Sequence, residues 1–144
     1  MVLLYIVLSI KSIIFTFCGV NVLYKQQRRT KLKIKDIANL LSAQILTPEI
    51  SVETEVHTAC GSDMMSDVLA YVKDQAVLIT GLNNPQVIRT ADMMDMVCVV
   101  YVRGKKPDRL SLELAVKSNI CVLCTDMPMF SCCGILYDNG LRGA

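Results

Sequence analysis

His57 is the only histidine in the 144-residue chain, and Asp63 follows it closely enough to partner it as a general base. A lone histidine on a strand is more often structural, and that reading is preferred here. Among the seven cysteines, Cys121-x-x-Cys124 and the adjacent Cys132 and Cys133 put four thiols within 13 residues, which has the look of a metal knuckle. Residues three apart on a strand point to opposite faces, and neighbouring thiols rarely chelate one ion, so no metal is expected. Nothing basic lies beside Cys132 or Cys133 to lower a thiol pKa, so no redox role is expected either. The odd count fits free thiols in a reducing cytoplasm, with Cys98 and Cys121 as small hydrophobes inside apolar runs. The patterns GxxxxGK[ST], GxGxxG and GxSxG are all missing. P-loop hydrolysis, a standard dinucleotide fold and an α/β-hydrolase mechanism therefore lack their mechanical parts. Neither catalytic residues nor a cofactor are expected.

What remains is binding chemistry. Gly61, Ser62 and Asp63 form one short polar cluster, Thr80, Gly81, Asn83 and Asn84 a second, and Arg103 with Gly104 a third. Glycine lets backbone approach a ligand closely, free amides at helix starts suit a phosphate or carboxylate, and Arg103 can neutralise an anion. Helix capping alone would select many of the same residues.

The elements around these clusters repeat. AVLIT (76–80), VCVVYV (97–102) and ICVLC (120–124) are unbroken apolar runs, the pattern of strands buried on both faces. VETEVHTA (52–59) alternates and predicts a less certain strand over 54–58. Helices are expected over about 33–42, with Ile34, Ile37, Ala38 and Leu41 inward, and over about 63–73, capped by Ser62 or Asp63. Another is expected from Pro85, behind the cap Asn84, with Val87, Ile88, Ala91 and Met94 inward. DRLSLELAVKS predicts a further helix starting near Asp108 and centred on Leu110, Leu114 and Ala115, and one more follows DMP. Strand starts at 76, 97 and 120 are 21 and 23 residues apart, the length of compact strand-helix-strand units. The expected fold is a compact α/β domain with a mostly parallel sheet and helices packed on it. In such folds ligands bind beyond the carboxyl ends of the strands, where the three clusters fall.

With 53% hydrophobic and 19% charged residues, the chain is too apolar for disorder. Charge divides it. Residues 1 to 35 carry seven bases and no acid, while residues 36 to 144 carry eight bases against thirteen acids, a net of −5. On the acidic body only Arg103, Lys105 and Lys106 cluster, so no nucleic-acid partner is expected. Residues 1–32 read as a hydrophobic and basic leader to a single domain over 33–144. Residues 1–24 have the length of a membrane span, with Lys11 near the middle, so a membrane anchor, an overextended start and a helix packed on the body all stay open. The leader is expected to add little to the stability of the body.

The stretch from Lys33 to Leu141, about three-quarters of the chain, resembles the DRTGG domain family. The resemblance is carried by GSDMMSDVL (61–69), VLITGLNNPQVIRTADMMD (77–95), VVYVRGKKP (99–107) and VLCTDMPMFSCCGILYDNGL (122–141). Where the family name calls for Asp-Arg-Thr before a glycine pair, this chain has Asp63-Met64-Met65 and Thr80-Gly81-Leu82, so contacts of that arginine and second glycine are not carried over. Members are small α/β modules, found alone or inside phosphate acetyltransferases and CBS-containing pyrophosphatases, and similar to the amino-terminal domain of HPr kinase. The resemblance implies a non-catalytic regulatory module sensing a small anionic metabolite or nucleotide. It implies no kinase activity, which belongs to a separate P-loop domain. The alternative is a structural interaction domain, a homo-oligomer joined through its apolar helices.

Overall fold

The computed structural model describes residues 31–72 and 75–143. The described chain enters through β1 (Leu32–Lys33) and turns at once into α1 (Ile34–Leu40). After the short β2 (Gln44–Ile45) it returns as β3 (Glu55–Val56), antiparallel to β1. Three of the amino-terminal bases pair with acids of the body: Lys31 with Glu55 at 3.0 Å, and Lys33 and Lys35 with Glu53 at 2.9 and 2.7 Å. Hydrogen bonds from Lys35 and Lys33 hold the Glu53 carboxyl at about 2. Such exposed pairs add little stability, but they neutralise part of the basic segment.

From β4 (Thr58–Gly61) the strand-helix unit repeats through α2 (Met65–Tyr71), β5 (Ala76–Thr80), α3 (Gln86–Met93) and β6 (Cys98–Tyr101). It goes on through α4 (Arg109–Lys117), β7 (Cys121–Cys124), α5 (Met129–Asp138) and β8 (Arg142–Gly143). The six-stranded sheet has the order β2-β7-β6-β5-β4-β8, and only the β2–β7 pair is antiparallel. The expected mostly parallel sheet is present, with β5, β6 and β7 as its centre, each within the apolar run expected to form it. The strand expected over 54–58 is displaced: residues 55–56 pair with β1, and the parallel ladder to β5 starts at Thr58.

Alternation along each buried strand sends successive side chains to opposite faces. Val77, Ile79, Val100 and Leu123 pack with Ile34, Ile37 and Leu41 of the α1 segment and Cys132 and Leu136 of α5. Leu78, Val99, Tyr101 and Val122 pack with Met65 and Val68 of α2, Val87, Ile88 and Ala91 of α3, and Ala115 of α4. The result is a three-layer sandwich with its sheet buried on both sides. Leu110, expected inside, is exposed, while Ala115 carries the contact of α4 with the sheet.

The membrane anchor left open as one reading of residues 1–24 is corrected. No helix among the described residues is long and apolar enough to cross a membrane, and the longest, α5, has 10 residues where a span needs about 20. Residues 1–24, on which that expectation was placed, lie outside the described residues, as does most of the leader.

Candidate functional site

The strands β4, β5, β6 and β7 advance side by side with α2, α3 and α4 on one face. Then α5 returns across the other face and sets β8 beside β4. The chain therefore leaves β6 and β7, which are neighbours, toward opposite faces, which places a topological switch point at their carboxyl ends. The two loops at that point are tied together. The Arg103 N–H donates to the Met127 carbonyl at 3.0 Å and the Gly104 N–H to the Thr125 carbonyl at 2.9 Å. Arg103 and Gly104 both have positive φ, 60° and 65°, and Lys105 N–H closes the turn onto the Val102 carbonyl at 3.2 Å. This is the conformation of a type I′ turn, in which both central residues are left-handed.

On this edge the Asp63 carboxylate collects three donors from two neighbouring strands. Its Oδ1 accepts from the Gly81 N–H at 2.6 Å and the Thr80 hydroxyl at 3.0 Å, and its Oδ2 from Arg103 Nη2 at 3.0 Å. Burial pushes the carboxyl up, but the Gly81 amide, the Thr80 hydroxyl and the Arg103 guanidinium outweigh it and hold the group below the usual range. Thr80 also accepts the Leu82 N–H at 3.1 Å, which directs its own hydroxyl proton toward Asp63. Gly81 leaves room for this approach, because a Cβ there would fall on the Arg103 guanidinium in its present position. Both charged side chains are 48% exposed, so solvent reaches the cluster.

Asp63, Thr80, Gly81 and Arg103 are thus brought into direct contact, and the other expected residues stand around them. Asn83 links the same loops by donating from Nδ2 to the Lys106 carbonyl at 2.8 Å. Asn84 caps α3 as expected: its Oδ1 accepts the Gln86 N–H at 2.9 Å, and Pro85 already has helical backbone angles. The Ser62 hydroxyl is taken up locally by Met64 N–H at 3.0 Å. A Cβ on Gly61 would meet Cys133 of α5, which places that glycine against the opposite face from α2. Asp63 itself does not cap α2, which has Met64 at its cap position and no side-chain cap bond. The reading of the residues missed the Asp63–Arg103 pair, because 40 residues separate the two and only the strand order brings them together. It also passed over Asp126, whose carboxylate lies against Gly104.

The alternative chemistries are not assembled. His57 sits at the amino end of β4, 3.8 Å from Glu55, while Asp63 lies past the carboxyl end of that strand. Cys121 faces α1 and α5, whereas the Cys124 thiol donates to the Lys105 carbonyl at 3.3 Å. Among the described residues no three histidine, cysteine or acidic side chains are grouped to hold a metal. A groove of about 440 Å³ lies between the segment after β2 and α4, lined by Leu46, Thr47, Arg109 and Leu112.

No family model and no curated protein matches the chain. Among solved structures it is similar to the CBS and DRTGG domains of the regulatory region of Clostridium perfringens pyrophosphatase, complexed with the activator diadenosine tetraphosphate. The TM-score is 0.61 at 18% identity, over 88% of this chain and 54% of that one. The chain therefore spans about half the length of the solved region, and the likeness is one of fold. The DRTGG resemblance carried by the residues has its counterpart in three dimensions: this chain shares its fold with a regulatory region that contains a DRTGG domain.

Proposed function

We propose that the chain is a non-catalytic regulatory module that senses a small anionic or nucleotide-like ligand at the carboxyl edge of its sheet. The observation that carries this reading is the convergence of the Gly81 N–H, the Thr80 hydroxyl and the Arg103 guanidinium on one point of that edge. Amide, hydroxyl and guanidinium together are the donor set that phosphates and carboxylates seek. Gly61, Ser62, Asn83 and Asn84 would complete the rim. The solved structure of similar fold is a regulatory region complexed with a dinucleoside polyphosphate, which supports a ligand of that chemistry. A thermal-shift screen of nucleotides, acyl phosphates and phosphorylated metabolites tests the reading. A ligand at a hundred times its Kd raises stability by about 2.7 kcal/mol, and Arg103→Ala removes that gain. An unchanged shift in the variant, or a ligand found at the amino edge, sinks it.

A second reading, association of identical copies through the helices, is favoured by apolar side chains left outside on the α2, α3 and α4 layer. Tyr71 is 70% and Met93 72% exposed there, and Leu110 is exposed as well. Sedimentation of the full chain across a range of concentrations decides it: a single monomeric species excludes this association.

A further inference from the structure

We infer that Asp63 is a tethered stand-in for the ligand's anionic group, which an incoming phosphate displaces to take over Gly81, Thr80 and Arg103. This inference rests on the ligand-sensing reading above and specifies how that site is regulated. The donors stand on anchored backbone, whereas no cap bond ties Asp63 to the helix after it. The Arg103 backbone is held by its bond to Met127, and Gly104 by its bond to Thr125. The Gly81 amide leaves the end of β5, and the Thr80 hydroxyl is oriented by Leu82 N–H. Asp63, by contrast, stands in the connection between β4 and α2 and does not cap that helix. Its half-exposed carboxylate can swing into water without opening the core.

Chemistry also favours exchange. A carboxylate has two oxygens for the three donors, so Gly81 and Thr80 share Oδ1. A phosphate group offers each donor its own oxygen and a larger charge for Arg103. While Asp63 is in place it both occupies the guanidinium and repels a second anion, so the apparent affinity is lowered by the fraction of molecules in which the site is taken. A ligand therefore releases the segment ahead of α2, and that movement is the signal.

Isothermal titration of the full chain with ADP and with inorganic pyrophosphate tests this, comparing wild type, Asp63→Asn, Asp63→Ser and Asp63→Asn combined with Arg103→Ala. Cooperative melting of each variant is checked first. Both single variants are expected to bind tighter, by up to about fivefold, since an exposed ion pair no longer competes, and loss of Arg103 abolishes the gain. On wild type itself, the NMR signal of the Asp63 carboxyl carbon should move toward that of a solvated carboxylate at saturation. If wild type binds while both single variants bind equally or more weakly, or the Asp63 signal stays still, Asp63 is not displaced, and the sensing reading survives without it. If neither wild type nor variants bind either probe, the sensing reading itself fails for phosphate anions and this inference fails with it.

Discussion

Arg103 is a left-handed residue at the end of a strand, not of a helix. Ser42, Asp95 and Asn119 also have positive φ, but each lies two residues past the end of α1, α3 or α4, where such a conformation closes a helix. Arg103 instead follows a buried strand and places its guanidinium over Gly81. A left-handed conformation costs an L-residue roughly 1–2 kcal/mol, and a strained residue at a strand end is where function is sought. Replacing Arg103 by alanine keeps the strain and removes an exposed ion pair worth about 0.2–1 kcal/mol. Replacing it by glycine removes both. Arg103→Gly is therefore expected to be more stable than Arg103→Ala by about 1 kcal/mol in urea unfolding. Equal midpoints would show that the turn carries no strain at this residue.

The elements draw their bounds from local chemistry where such chemistry exists. Asp108 caps α4 through its Oδ1, which accepts the Ser111 N–H at 2.8 Å, so Asp108→Ala should cost about 0.5–2 kcal/mol. A calorimetric melt unchanged by that substitution would assign the start of α4 to its tertiary packing instead. The same kind of signal makes the central elements readable in the sequence. Continuous apolar runs mark β5, β6 and β7, Asn84 with Pro85 marks the start of α3, and Asp108 that of α4. Where the partner decides, the residues are silent. From Val52 to Thr58 the alternation runs unbroken, yet residues 55–56 pair with β1 and Thr58 with β5, and no residue in it records the change. The two-residue strands β2 and β8 carry too few side chains to show a period. The candidate site was legible as a set of loops at one edge. The ion pair at its centre was not, because a side chain's partner across the sheet depends on strand order.

At the scale of the whole molecule, two of the described helices, α1 and α5, pack on one face of the sheet. Leu136 of α5 is fully buried there with Ile37 and Leu41 from the α1 segment. Leu136→Ala should cost about 2–5 kcal/mol, because a thin layer has few neighbours that can collapse into the cavity. Chemical denaturation of the variant measures it, and a loss well below that range would mean that α5 adjusts as a unit. The return of α5 also sets an order in time. Strands β4 to β7 lie side by side in the sequence in which a ribosome delivers them, so the sheet can grow strand by strand during synthesis. Its flanks cannot. Strand β2 is made early but waits for β7, and among the described residues the outer side of β4 has no partner until residues 142–143 emerge. For that interval the nascent domain presents open hydrogen-bonding edges on both sides, a template for pairing with another chain. The last short strand thus guards the newborn protein against its neighbours.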